Sequence, residues 1–299
     1  GSAVAVAVSA PLPSALPPRS ASASLWRRFR RNTMAMAGLV IVVGLVLTAL
    51  ASYVVAPWED VIRQDFPNAL QPPSWRHWFG TDILGRDIFL RVLYASRTSL
   101  LVGFTVVGIG MSVGTALGLL AGYLGGWWDR LVMRLTDILL AFPFLLLAIA
   151  VAASLGQSLT NLIIALGFAT FPSYARLVRG CVLAIREEQF IDAARAIGVG
   201  RVRIMLVHIL PNLMGTLLVY GTLRISTAIL AESGLSFLGL GAEPPEPTWG
   251  NMLAEAKEYL IFYAWLPLFP GLAILLTVLG FNFLGDGLRD VLDPRLKDQ

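Results

Sequence analysis

Residues that could carry out catalysis are few in this sequence and lie far apart. The chain has two histidines, His77 and His208, and one cysteine, Cys181. Nucleophilic or acid–base catalysis needs a nucleophile and a base within hydrogen-bond reach of each other. Long uncharged runs separate the two histidines, and Ser233 and Ser236 have no histidine near them in sequence. The residues therefore predict neither an enzyme nor a metal site.

ATP binding by the common phosphate loop is also excluded. The run G-x-x-x-x-G-K-[ST], whose backbone amides hold the phosphates, does not occur in the sequence. We therefore expect no cofactor in this chain.

Arg224 is a charged residue in an otherwise apolar stretch, with Glu232 eight residues further on. Such charges almost always face the interior of a bundle or water. On a helix, Glu232 would lie about 12 Å along and about 80° around from Arg224, which makes it a poor direct partner. We expect Arg224 to pair with an acid on another span or on a partner subunit. The alternative is that Arg224 faces a solute path and attracts a carboxylate. Glu232 is a second candidate for a charge on such a path or between subunits.

Two more charged groups stand outside the apolar runs. Asp82, Arg86 and Asp87 form either a local ion-pair scaffold or part of a docking face for another protein. The scaffold is preferred because exposed charges are easily placed and contribute little. Arg134 and Asp137 are three residues apart, and we expect them to pair on one helix face.

The long uncharged segments between most of these residues are predicted membrane spans. Hydrophobic residues make up 56% of the 299 residues and charged ones only 14%, against about 25% charged in soluble domains. Uncharged runs long enough to cross a bilayer predict six helices in an all-α integral membrane protein. The third and fourth spans share one uncharged run that Gly156, Gln157 and Ser158 divide. The predicted spans are residues 34–56, 98–122, 138–155, 159–175, 211–230 and 261–284.

Basic residues indicate how the spans are oriented. With both termini in the cytoplasm, 16 basic residues fall on the cytoplasmic side and 6 on the other, as the positive-inside rule requires. This distribution also argues against a nucleic-acid-binding surface. The predicted organisation is a disordered tail (1–24), a basic segment (25–33), a six-helix transmembrane domain (34–285) and a cytoplasmic tail (286–299). Within that domain, 57–97 and 233–260 are outside loops and 176–210 is a cytoplasmic loop.

A row of small residues marks the second span. Gly110, Gly114, Gly118 and Gly122 recur every four residues, so another helix can approach closely along this face. We interpret the row as a helix-packing surface rather than a gate.

The cytoplasmic loop 176–210 contains a short segment suited to docking. Residues 187–197 favour a helix, which Gly198 would end. Ala193 and Ala194 would make one patch of this helix nearly flat, so that a partner could approach closely. Nothing in the loop resembles a catalytic site.

This loop resembles the EAA loop of ABC importer permeases, whose pattern is E-A-A-x3-G-x9-I-x-L-P. Two positions depart from the pattern: Asp192 replaces Glu, and His208 stands where Ile is usual. The resemblance implies that the loop forms a coupling helix seated on an ATP-binding subunit. The residues assigned to this coupling site are Asp192, Ala193, Ala194, Arg195, Gly198, Leu210 and Pro211.

Three further segments resemble the dipeptide, oligopeptide and nickel branch of the same family. They are FGTDILGRD at 79–87, LSFLGLG at 235–241 with PTWGNML at 247–253, and the ending at 285–295. The chain is identified as a member of this branch and resembles its second, C-type permease. The family implies a type I ABC importer permease fold in the inner membrane of a prokaryote.

Family membership also implies partners and a mechanism. A sister permease would complete a heterodimer, two ATP-binding subunits would hydrolyse ATP with magnesium, and an extracytoplasmic binding protein would deliver the solute. Asp82, Arg86 and Asp87 would then be the candidate docking residues for that binding protein. Transport would proceed by alternating access. We expect the solute to be a di- or oligopeptide, with glutathione or a nickel or other metal chelate as alternatives. A secondary transporter or channel is the rival from another class, but the docking loop argues against it.

Overall fold

The computed structural model describes residues 21–292, and the regular elements of this part of the chain are helices. Two short helices, α1 and α3, flank the first long one. The helices before the docking loop are α1 (Ala21–Arg31), α2 (Thr33–Val55), α3 (Trp58–Ile62), α4 (Ile88–Leu124), α5 (Gly126–Leu140), α6 (Phe144–Leu155) and α7 (Leu159–Ile185). Those from the loop onward are α8 (Gln189–Ala196), α9 (Arg201–Arg203), α10 (Leu210–Phe237), α11 (Trp249–Ala256) and α12 (Trp265–Leu292), with a π-helical turn at Ile204–Ile209.

Within residues 21–292, five helices are long and apolar enough to cross a membrane: α2, α4, α7, the continuous stretch Arg201–Phe237, and α12. The pair α5 and α6 makes a sixth span only if it is counted as one crossing, because its two halves are bent by 92°. The predicted break at Gly156–Ser158 is confirmed, since Gly156 has a φ of 90° and Ser158 caps α7. The predicted third span, residues 138–155, is not one continuous helix, because α5 ends at Leu140 and α6 begins at Phe144. Pro143 stands at the bend, and its ring disfavours a helical conformation for the residue before it.

The glycine row of α4 packs directly against α7. A Cβ atom on Gly114 would lie 2.4 Å from Tyr174 Cβ, and one on Gly118 would lie 2.7 Å from the Ala175 carbonyl oxygen. Both distances are shorter than any side chain tolerates, so only glycine permits this approach. The predicted packing role of the row is confirmed.

Several helices extend beyond their predicted bounds. α4 begins at Ile88 rather than at residue 98 because Asp87 caps it: its Oδ1 accepts a hydrogen bond from Leu90 N at 3.1 Å. α12 continues to Leu292, so part of the predicted tail is helical. α1 begins at Ala21, inside the predicted disordered segment. Residues 1–20 and 293–299 of the two predicted tails lie outside the described residues.

The bundle has two ends that are named here by their short helices. α4 starts beside α11 and finishes near α8, where Arg186 Nη1 donates to the Gly122 carbonyl at 3.1 Å. These are the α8 end and the α11 end of the bundle.

Candidate functional site

The predicted docking helix is present as α8. It spans Gln189–Ala196 and is followed by Gly198 with a φ of 82°, a left-handed conformation that glycine adopts without strain. The Val199 amide donates to the Ala194 carbonyl at 3.0 Å and closes the helix end. The helix and its termination at Gly198 therefore follow the sequence-based prediction.

The two alanines of the predicted flat patch point in different directions. Ala193 is exposed, whereas Ala194 is 6% exposed and packs in the hydrophobic core beside the fully buried Ile191. Successive helical residues are turned by about 100°, so adjacent residues do not share a face. The expectation that Ala194 faces a partner is wrong. The open surface of the loop includes Ala193, Phe190, which is 44% exposed, and Ile197, which is 81% exposed.

Polar contacts hold α8 to the ends of the long helices. The Arg195 guanidinium lies 5.7 Å from the Tyr123 ring centroid at the end of α4, and its Nη1 donates to Asp192 Oδ1 at 3.1 Å. Arg179 binds Asp129 through Nε at 2.5 Å and Nη2 at 2.8 Å, which joins α7 to α5. A displacement of α8 would therefore act on the end of α4 through Arg195, and on α7 through the short segment that joins the two helices.

The pairing expected between Arg134 and Asp137 is wrong. Asp137 Oδ1 accepts instead from Arg176 Nη2 at 2.5 Å. Arg176 belongs to α7, which packs along α5 and brings this arginine to the Asp137 carboxylate. Both members of this pair are more than half exposed.

Leu210 and Pro211 lie within a longer helix than predicted. The helical stretch starts at Arg201, not at Pro211, and includes the π-helical turn immediately before Leu210. Pro211 has no amide hydrogen to donate to the preceding turn, and a local π-turn accommodates such an interruption. The coupling loop is therefore shorter than 176–210 and joins α7 to the next span through few free residues.

Arg224 lies in the middle of α10 and binds an aromatic residue rather than an acid. Its Nη2 donates to the Tyr220 hydroxyl, and its guanidinium lies 4.8 Å from the Tyr220 ring centroid. Tyr220 in turn meets Tyr174 edge-to-face at 4.9 Å, and the buried Tyr174 hydroxyl has no hydrogen-bond partner among the described residues. Within residues 21–292, no acid forms an ion pair with Arg224. The expected acid on another span of this chain is thus not found.

A cavity of about 590 Å³ opens at the α8 end, between α7, α10 and α12. Tyr220 forms part of its wall, and Asn212, Thr216 and Arg289 supply polar groups. The Arg224–Tyr220 pair therefore adjoins a space large enough for a small solute.

Glu232 is separate from Arg224 and has no exposed surface. Its carboxylate accepts from the Ser236 hydroxyl at 2.7 Å and from the Ser233 hydroxyl at 3.3 Å. Its assignment as a path or inter-subunit charge is contradicted by this burial within the chain.

Asp82 and Arg86 belong to a buried ion cluster at the α11 end that sequence reasoning found only in part. Asp82 Oδ2 accepts from Arg86 Nε at 2.6 Å and from Arg91 Nη1 at 2.5 Å, and Glu255 of α11 accepts from both arginines at 2.7 Å. Arg91 and Glu255 were missed because 164 positions separate them in the sequence. The available sequence signal was the position of Arg91, a lone arginine near the start of a long apolar run, which indicates a buried charge that needs a partner.

The same cluster has little surface to offer a docking protein. Asp82 and Arg86 are each 4% exposed. Asp87 caps α4 and pairs with His77 Nδ1 at 2.8 Å, with both side chains 17% exposed. This geometry is that of the scaffold alternative, in which the charges fix the segment before α4 to α11.

Comparison with known proteins shows which family has this architecture. Residues 114–298 match the family described as the binding-protein-dependent transport system inner membrane component. The chain belongs to this family. Residues 20–73 match the N-terminal transmembrane domain of oligopeptide transport permease C. The expected membership in the peptide, glutathione and nickel branch of ABC importer permeases is therefore confirmed.

Curated relatives and a solved structure agree with this assignment. The glutathione transport system permease protein GsiD of Escherichia coli O6:K15:H31 (strain 536) is 49% identical over 272 residues, which cover 91% of this chain and 90% of that protein. GsiD of Shigella dysenteriae serotype 1 (strain Sd197) is 48% identical over the same length. An inward-facing MetNI methionine ABC transporter shares the fold, with a TM-score of 0.58, 20% identity and coverage of 69% of this chain and 98% of that chain.

The chain is thus a permease subunit of an ABC importer and is not itself catalytic. Multi-pass helices and family membership imply the inner membrane of a bacterium. In general, such permeases work with a partner permease, ATPase subunits and a binding protein.

Proposed function

We propose that this chain is the C-type permease of a heterodimeric importer of small peptides, glutathione among them. The similarity to glutathione permeases over nine-tenths of the chain carries this proposal. Glutathione is itself a tripeptide with free carboxylates, so one path chemistry serves both solutes. A nickel chelate is the remaining alternative.

Arg224 is proposed to face the solute path and attract a solute carboxylate. A charge near mid-span costs about 2.5–3.5 kcal/mol on insertion scales, so an arginine there calls for a partner. Tyr220 satisfies one edge of the guanidinium without neutralising it, and the adjoining cavity provides room for an anion. An acid on the sister permease is the competing partner.

α8 is proposed to be the coupling helix that docks on an ATP-binding subunit. Its support is the contrast between two faces: Ile191 and Ala194 are buried against the bundle, whereas Ala193 and Ile197 are open. The open face is flanked by Asp192, Arg195 and Gly198. The loop continues into the next span through Leu210 and Pro211. Movement of the ATPase would reach α4 through Arg195 and α7 through the short segment that joins it to α8.

The remaining arrangement follows from the same proposal. Both termini and α8 would be cytoplasmic, and the α11 end would face the solute-binding protein. ATP and magnesium would bind only to the two partner ATPase subunits. Asp82, Arg86 and Asp87 would then shape the outer surface indirectly, through the segment that their ion pairs hold in place.

Uptake by the complete transporter in proteoliposomes tests the solute and the role of Arg224. We expect transport of glutathione and trialanine but not of a nickel chelate. Arg224→Gln should lower uptake of trialanine about tenfold while leaving trialanine amide, whose carboxyl is blocked, nearly unchanged. A complex that fails to assemble would show that Arg224 pairs with the sister permease. Equal loss for both peptides would contradict carboxylate recognition.

Ala193→Trp tests the docking face of α8. The bulky ring should prevent close approach of the ATPase and abolish solute-stimulated ATP hydrolysis, while the permease pair still assembles. Ala37→Trp is the matched control, because Ala37 is an exposed alanine on α2 outside the docking helix. Normal coupled hydrolysis in Ala193→Trp would refute the docking role.

A further inference from the structure

A groove between α2 and α4 at the α11 end takes no part in the site described above. Its volume is about 420 Å³. The floor is apolar and the mouth is polar, which is the layout of a site for an amphiphile. The apolar residues along it are Val46, Ala49, Leu50, Leu100, Leu101, Phe104 and Leu159.

Arg97 lies at the mouth of this groove and is held rigidly. Its Nε donates to the Ser52 hydroxyl at 2.6 Å, and its Nη2 donates to the Ser52 and Ala56 carbonyls at the end of α2. The guanidinium also lies 4.0 Å from the Tyr53 ring centroid and 4.4 Å from that of Tyr94. These contacts cap α2, and within residues 21–292 both N–H groups of Nη1 stay available for another acceptor.

The surrounding residues place Arg97 at the depth of lipid headgroups. α2 ends at Val55, on the turn that Arg97 caps. Tyr53, Tyr94 and Trp58 gather at the same level, with the Trp58 and Tyr94 rings 5.4 Å apart. Tyrosine and tryptophan concentrate where a helix leaves the hydrocarbon region. The open Nη1 therefore lies where phosphate groups are available.

Glu246 gives the same mouth a negative charge. It lines the groove together with Arg97, yet no ion pair joins the two within residues 21–292. Arg97 and Glu246 line one groove without pairing, so a ligand that carries both a negative and a positive charge could bind to both. A phosphate beside a primary ammonium, above an apolar tail, has this pattern.

We propose that this groove binds phosphatidylethanolamine. The phosphate accepts from Nη1 of Arg97, the ammonium donates to the Glu246 carboxylate, and one acyl chain lies against Leu50 and Leu101. Charge-assisted hydrogen bonds to phosphate are stronger than neutral ones. Because Arg97 is already held by α2 and by the two tyrosine rings, it loses little conformational freedom on binding. The site is independent of the solute that the transporter carries.

Lipid retention by the purified transporter complex tests the proposal. Native mass spectrometry should detect bound phosphatidylethanolamine, and Leu50→Trp, which fills the groove without touching the α2 cap, should reduce its retention at least tenfold. Leu47→Trp is the matched control: both leucines are on α2 and 59% exposed, but only Leu50 lines the groove. Equal retention in the two variants would overturn the proposal.

The headgroup assignment is tested by competition in nanodiscs. Phosphatidylethanolamine should displace phosphatidylglycerol and phosphatidylcholine from the wild-type complex. Phosphatidylglycerol lacks an amine, and phosphatidylcholine has no ammonium hydrogen to donate. Glu246→Gln should reduce the preference over phosphatidylglycerol about fivefold. Absence of any headgroup preference would reduce the site to ordinary boundary lipid. A Leu50→Trp complex that loses its sister permease with unchanged lipid content would assign the groove to that subunit, and would equally refute the proposal.

Discussion

Removing Arg91 from the buried ion cluster should destabilise the chain strongly. Arg91 is 2% exposed and donates to Asp82 and to both carboxylate oxygens of Glu255. The cluster holds two arginines and two acids, so its charges balance. Arg91→Met keeps an apolar side chain of similar length and leaves two carboxylates to share Arg86, with one uncompensated negative charge.

The magnitude follows from that charge. Removing one partner from a buried ion pair costs about 3–5 kcal/mol, most of it from the charge left behind. Replacing both partners with neutral groups is often close to neutral. The double variant Arg91→Met/Glu255→Gln restores the balance and should recover at least half of the loss. For a chain of this size, the single variant should lower Tm by on the order of 10 °C.

Thermal unfolding of the detergent-solubilised complex measures the effect. Arg63→Met is the control, since Arg63 is an exposed arginine in the same segment before α4, and it should change Tm by no more than about 1 °C. Equal Tm values for Arg91→Met and Arg63→Met would refute the claim that the cluster holds this end together. A double variant less stable than the single one would refute the charge-balance argument.

Two further predictions concern packing and topology. Gly114→Ala should destabilise the chain by about 1–3 kcal/mol through overpacking, whereas Gly108→Ala, whose added Cβ would meet no atom within 4 Å, should be tolerated; equal melting temperatures would contradict the close α4–α7 approach. In a Cys181→Ser background, an impermeant thiol reagent applied to right-side-out vesicles should label a cysteine at Gln71 and not one at Gly200. Labelling at Gly200 alone would invert the proposed orientation.

Features set by local sequence were predicted well. The break at Gly156 and the end of α8 at Gly198 depend on backbone conformations that glycine adopts easily. The packing row of α4 depends on a four-residue repeat that is visible in the sequence. In each case, the physical cause lies within a few residues of its effect.

Features set by distant residues were not predictable in the same way. Arg91 and Glu255 meet only because α11 folds back over the start of α4. Asp137 pairs with Arg176 instead of its sequence neighbour because α7 lies alongside α5. The burial of Ala194 depended on which face of α8 the bundle covers, and a pattern of two adjacent alanines does not contain that information.

The charges of α10 bear on how the chain is made. Leu, Ile, Val and Phe account for eleven of its 28 residues, each favouring membrane insertion by about 0.3–0.6 kcal/mol, while each mid-helix charge opposes it by about 2.5–3.5 kcal/mol. With Arg224 near its middle and Glu232 five residues from its end, α10 loses a large part of this gain as an isolated inserting segment. Synthesis delivers α4 and α7 first, and they bring Ser99 close to Glu232 and Tyr174 to the Tyr220 ring that binds Arg224. Entry of α10 into the bilayer should therefore depend on helices already there, which makes the order of synthesis part of the assembly of this permease.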